Sequence, residues 1–222
     1  MPSPSRLTPS AALSALFGLA VLASLYLTSL YSYLLFHSLA EFFSIVIAFN
    51  IFILAWNSQS LQSNSYLLFL GSGFFYVACF DLLHTLAYKG MGIFAGYDAD
   101  LPTQLWIAAR GFQTLILVAA PLHLRRKMNS ALLLGVLGLL FALLLATIFF
   151  WHTFPTAYVE GVGQTAFKIN AEYAIVAGHV LAFYLLYRQR AAFEKQIYSL
   201  LVTAFLFSGL TELMFTTYVG VY

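Results

Sequence analysis

The chain has 222 residues, is 62% hydrophobic and only 8% charged, and carries a formal net charge of +2 at pH 7. Soluble globular domains hold about 25% charged residues, so a water-soluble enzyme or carrier is excluded, and no run of basic residues offers a face to nucleic acid. The single cysteine, Cys79, excludes both a disulfide framework and a CxxC metal pair.

Seven apolar runs, each close to the ~20 residues needed to cross a bilayer, follow one another at about 11–31, 33–56, 65–87, 103–122, 131–151, 170–187 and 197–217. Lipid cannot satisfy backbone polar groups, and none of these runs alternates strictly, so the elements are helices and not barrel strands. The expected fold is an all-α integral membrane bundle of about seven transmembrane helices, one transmembrane domain over 1–222.

In the first run, Arg6 followed by an apolar stretch from Ala11 has the outline of a signal peptide. A run of ~20 exceeds the usual ~7–15 residue core and no A-x-A site follows, so it reads as a first span. The second run, "LLFHSLAEFFSIVIAFNIFILAW", holds His37 and Glu41 four residues apart. An unpaired ion costs about 2.5–3.5 kcal/mol at the centre of a spanning helix, so two such groups are retained for use. Asn50, deeper in the same run, is expected to bond to a neighbouring helix.

The third run opens on "LGSGFF", where Gly71 and Gly73 permit close helix approach, and closes on Asp81 and His84 at i,i+3. The linker "YKGMGIFAGYDADLP", glycine-rich and apolar, reads as a lid over a cavity. The fourth run carries Arg110 with Gln113 three residues on, the sixth Glu172 and His179 at i,i+7, and the seventh Ser208 and Glu212 at i,i+4. Each spacing puts the polar groups on one helical face, which belongs toward the bundle interior or a wet cavity. Trp56, Trp106 and Trp151 lie near span ends and read as interfacial indoles.

Cations cluster in "HLRRKMNS" (Arg125, Arg126, Lys127) and "RQRAAFEKQ" (Arg188, Arg190, Lys195), with Arg6 before the first span. The positive-inside rule places these segments in the cytoplasm. Seven alternating spans from a cytoplasmic N-terminus give the same assignment and leave Tyr222 outside. The other linkers, with Lys89 and Lys168 against Asp98, Asp100 and Glu160, are then the outer loops.

At a rise of 1.5 Å per residue, Glu41 lies about 12 Å below the outer boundary, Arg110 about 10 Å, Asp81 about 9 Å and Glu212 about 8 Å. Glu172 falls in the first turn of its span and His179 near the midplane. Four acids in the spans, Glu41, Asp81, Glu172 and Glu212, face one buried cation, Arg110. Arg110 is the partner available to Glu41, Asp81 or Glu212, and the surplus negative charge calls for proton uptake, histidinium, a metal ion or a cationic ligand.

The segments "HSLAEFFSIVIAFNIFILAWN", "GSGFFYVACFDLLHTLAYKGMG", "TQLWIAARGFQTLILVAAP" and "FSGLTELMFTTYVGVY" resemble, in order and from about residue 30 to the end, the membrane-associated sensor domain MASE3. The resemblance implies a sensory module of the bacterial inner membrane, joined in the whole protein to a cytoplasmic output domain such as a histidine kinase or diguanylate cyclase. It also implies functional positions at His37, Glu41, Asp81, His84, Arg110 and Glu212, which lie inside the matching segments. Such domains continue through a further helix to their output domain, whereas this sequence stops at Tyr222; together with the charge pattern, this leads us to expect a module truncated before an eighth span.

The expected function is therefore a non-enzymatic sensory input domain. Its expected ligand site comprises His37, Glu41, Asp81, His84, Arg110, Gln113, Glu172, His179 and Glu212. The expected partners are membrane lipid, a small-molecule or cationic signal, the cytoplasmic signalling domain and a second copy of the chain. The alternative is a metal or haem protein. A divalent metal ion would be held by His37, Glu41, Asp81 and His84, and haem iron by histidines among His37, His84 and His179. A transporter lacks the paired repeats and broken helices it would need. An enzyme lacks a nucleophile beside Glu41 and His37, since Ser38 and Ser44 read as ordinary intrahelical hydroxyls.

Overall fold

The computed structural model describes residues 9–61, 64–125 and 127–216. Arg6, Arg126 and the residues after 216, all used in the sequence argument, lie outside them. Among the described residues seven helices are long and apolar enough to cross a membrane. They are α1 (Pro9–Tyr31), α2 (Tyr33–Ser58), α3 (Tyr66–Ala87), α4 (Asp100–Ala119), α5 (Ser130–Phe149), α6 (Ala166–Arg188) and α7 (Lys195–Thr216). The chain is thus all-α and multi-pass, with ends within a few residues of those expected. The largest departure is α6, which begins four residues early and takes Lys168 out of its expected loop.

Two units divide the chain, residues 1–43 and 44–222. The first holds α1 and the opening turns of α2. Ser32 separates the two helices, its Oγ accepting from the amide of Leu35 at 3.3 Å as an N-cap does. Leu13, Leu16, Phe17, Leu22 and Leu27 of α1 are all exposed, the pattern of a helix whose solvent is lipid.

In the second unit α3 packs on α4 and α5, α4 on α6, and α6 on α7. Phe80, Leu105, Phe112, Ile116 and Leu186 are fully buried between them. On α5 one face carries Leu133, Leu137 and Ile148 into this core while Leu132, Val136, Leu139 and Leu143 look outward. Local chemistry sets the helix starts: Asn129 Oδ1 accepts from the Leu132 amide at 2.9 Å, and Thr165 Oγ1 from the Lys168 amide at 3.3 Å. Asn50 departs from expectation. It sits on the exposed side of α2, and its amide donates to the Val46 carbonyl of its own helix at 2.9 Å.

The end where α3 stops and α4 starts is tied down by polar groups. Asp100 Oδ1 accepts from the amides of Ala157 and Tyr158 at 2.7 and 2.8 Å. It thereby anchors a two-strand hairpin, β1 (Tyr158–Val159) and β2 (Gly163–Gln164), in the α5–α6 linker. The linker expected to act as a lid rests on the end of α5, with Phe94 and Tyr97 packed against Phe149 at 5.8 and 6.1 Å. An exposed ion pair joins the two linkers, Lys89 Nζ to Glu160 Oε1 at 2.9 Å. That hydrogen bond pushes the Lys89 ammonium above its ordinary range. Its contribution is therefore present at neutral pH and lost only in alkali, as the folded form gives up the proton.

Close approach depends on absent side chains at two places. A Cβ on Gly71 would lie 2.4 Å from Ala55 Cβ and 3.1 Å from the Ile51 carbonyl oxygen, so α2 and α3 touch there because residue 71 has none. A Cβ on Gly178 would come within 2.3 Å of Thr114 Cγ2, where α6 meets α4. Gly71→Ala should therefore cost about 1–3 kcal/mol by overpacking against backbone. Gly135→Ala, with nothing within 4 Å of its Cβ, should cost nothing measurable. Thermal denaturation of both variants in the same detergent checks the difference.

Candidate functional site

Asp81 and His84 stand one turn apart on α3, and both are buried. The His84 Nδ1 lies 2.8 Å from the Pro102 carbonyl oxygen at the start of α4. A carbonyl can only accept, so Nδ1 carries the proton and Nε2 is the acceptor of the neutral ring. The His84 ring also packs on the Trp106 indole, with centroids 5.5 Å apart.

Arg110, on the α4 face that meets α3, forms an ion pair with Asp81. The same guanidinium donates to Gln113 Oε1 at 2.5 Å and lies over the Trp106 ring, 4.7 Å from its centroid. Trp106, Arg110 and Gln113 are spaced i, i+4 and i+7, so one stripe of α4 supplies the aromatic platform, the cation and the amide. Trp106 is thus a wall of the site, not the interfacial indole expected.

Because the Gln113 carbonyl faces Arg110, its NH2 group is the one that reaches Ser208 Oγ on α7, at 3.2 Å. Ser208 Oγ is also 3.1 Å from His179 Nε2 on α6. The other ring nitrogen, His179 Nδ1, lies 3.0 Å from the Ile175 carbonyl and must carry the proton. Nε2 therefore accepts and the Ser208 hydroxyl donates. Thr114 Oγ1, which donates to the Arg110 carbonyl at 2.8 Å, offers Nδ1–H a second acceptor at 3.3 Å. Every bond in the chain Arg110, Gln113, Ser208, His179 points the same way, from α4 through α7 to α6.

The remaining charges sit on α6 and α7. Lys168 Nζ and Glu172 Oε1 are 2.6 Å apart, both groups almost wholly buried, and Nζ also donates to the Phe215 carbonyl of α7 at 3.4 Å. Glu212 lies one turn beyond Ser208 on the same face of α7, within electrostatic range of Arg110, Asp81, Glu172 and Lys168. Phe215, three residues further, packs on Trp106 at 4.8 Å in an edge contact.

Of the nine expected residues, Asp81, His84, Arg110, Gln113, Glu172, His179 and Glu212 come together from α3, α4, α6 and α7. Asp81, His84, Glu172, His179 and Glu212 are between 0 and 6% exposed. His37 and Glu41 belong to the first unit, half-buried on α2, with the His37 ring stacked on Tyr33 at 6.4 Å. The expected single buried cation is corrected by Lys168, which cancels Glu172. The available signal was Thr165, a favoured N-cap three residues before it. Ser208, Thr114 and Trp106 also join the site. Hydroxyls and indoles inside apolar runs carry no mark of their own, although the i,i+4 step from Trp106 to Arg110 was readable.

A family model described as a membrane-associated sensor domain, MASE3, matches residues 28–222. No curated protein and no solved structure matches the chain.

Removing one member of a buried ion pair leaves the other charged and unsolvated, at a cost of about 3–5 kcal/mol. Arg110→Met should lose about that much, and adding Asp81→Leu should recover a large part of it. Unfolding of the two single variants and the double variant in mixed micelles checks this coupling.

Proposed function

The chain belongs to the MASE3 family of membrane-associated sensor domains, and from that premise we propose that it is the sensory input part of a bacterial signal-transduction protein. A small ligand or cation from outside the cell is bound by the polar cluster of α3, α4, α6 and α7. The result is relayed to a cytoplasmic output domain. Asp81 and Glu212 lie toward the ends of α3 and α7 remote from the basic residues Arg125, Lys127, Arg188, Arg190 and Lys195, and Arg110 lies at the middle of α4. By the positive-inside rule the cluster then runs from the middle of the inner membrane into its outer half, with Asp81 and Glu212 toward the external side.

The observation that carries this reading is the one-way hydrogen-bond chain through Gln113, Ser208 and His179. A static core needs its polar groups satisfied, and pairs within one helix would suffice. Here the partners sit on three helices, so a change of charge or position at Arg110 alters what holds α7 to α4 and α6. A signal needs no more than a ligand that prefers one arrangement. A tenfold preference, about 1.4 kcal/mol, shifts the balance between two arrangements tenfold.

A second reading, a divalent metal ion at His84, has one observation in its favour. A ring nitrogen that donates to a carbonyl, which leaves the other as the acceptor, is how metal-binding histidines are oriented. Asp81 is a poor second ligand, since it faces the Arg110 guanidinium. Stoichiometric metal in the purified protein, lost in His84→Ala, would establish this reading in place of the first.

Ser208→Ala should leave folding intact, with stability changed by about 1 kcal/mol or less. It should also abolish or strongly weaken the response of the output activity to the signal. A response in this variant equal to that of the parent, measured by the output activity in cells, would refute the relay.

A further inference from the structure

With all its carboxyl groups ionised, the charges of the four-helix cluster do not sum to zero. Arg110 is committed to Asp81 and Gln113, with its flat face on Trp106. Lys168 is committed to Glu172 and to the Phe215 carbonyl. The fifth charged group, Glu212, is 2% exposed, and its Oε2 receives no hydrogen bond among the described residues. Three carboxylates thus face two cations in an interior where an uncompensated ion is costly.

The surroundings of Glu212 narrow what could complete this balance. Glu212 and Phe215 share a face of α7, and the Phe215 ring packs on the Trp106 indole. A carboxylate one helical turn from a ring that itself packs on a second brings a charge partner and polarisable faces to one region, the combination that recognises organic ammonium groups. An anion would enlarge the imbalance. A hard metal ion needs several oxygen ligands, and the two neighbouring carboxylates are already taken by Arg110 and Lys168.

We propose that Glu212, with Trp106 and Phe215, forms a binding site for a small organic ammonium ion. The assignment rests on the sensory reading above, whose site it shares, and it names the class of signal. The bound ion supplies the third positive charge, so that Asp81, Glu172 and Glu212 are matched by Arg110, Lys168 and the ligand. It also lands on α7, the helix that Ser208 ties to α4 and α6.

The test uses the full chain in lipid nanodiscs with methylammonium, tetramethylammonium and choline chlorides as probes, and sodium chloride at equal ionic strength as control. At least one probe should raise the melting temperature saturably below about 10 mM. Glu212→Gln should weaken that binding about tenfold or more, because it removes the charge partner. Phe215→Leu, which keeps the carboxylate, should weaken it about threefold. The proposal is overturned if no probe exceeds the sodium control, as when Glu212 simply holds a proton, or if Glu212→Gln binds as well as the parent. Output activity is read separately. A response to signal without ammonium binding overturns this assignment and leaves the sensory reading, whereas ammonium binding without any change of output overturns the sensory reading and leaves the site.

Discussion

The pairing of Asp81 with Arg110 sets the terms on which α3 and α4 meet. Each group alone in an apolar interior is costly, and the attraction between them offsets that cost only when both are held in place and their remaining valences are filled. The neighbours serve that need: Trp106 covers one face of the guanidinium and Gln113 takes one of its donors. The glycine that lets α6 approach Thr114 sets the adjoining contact, where His179 comes within reach of the α4 hydroxyl. Packing and polar chemistry are one arrangement here, and neither could be kept without the other.

The direction of the hydrogen bonds follows from one carbonyl oxygen. Ile175 fixes the proton on Nδ1 of His179, and that assignment propagates. With His179 Nε2 as acceptor, the Ser208 hydroxyl has one orientation, and with Ser208 donating there, Gln113 must donate to it. The Ser208 hydroxyl joins all three helices, accepting from α4 and donating to α6.

The fold was legible because spanning a bilayer leaves so little choice: length and apolarity alone gave seven helices. Helical spacing then paired Asp81 with His84 and Ser208 with Glu212 on common faces, and those faces do turn inward. Two things were hidden. Helix ends depend on caps, so a start misplaced by four residues turned Lys168 from a buried partner of Glu172 into a loop lysine. Asn50 was expected to look across to a neighbour, but nothing in the spacing of a lone amide tells an inward face from an outward one, and its own helix supplied the acceptor. The arrangement of Gln113, Ser208 and His179 was beyond reach for a related reason. Spacing reports on one helix at a time, while these contacts depend on how three helices are rotated against one another.

The contact between Lys168 and the Phe215 carbonyl gives α7 a mechanical character. A lysine stem is long and supple, so it holds the last turn of α7 as a swivel holds the end of a rod. Ser208 lies about 10 Å along that rod from Phe215, and Lys195 about 30 Å. A tilt that carries Ser208 sideways by about 1 Å about this pivot carries the Lys195 end by about 3 Å. Small motion at the polar end thus arrives enlarged at the opposite membrane surface.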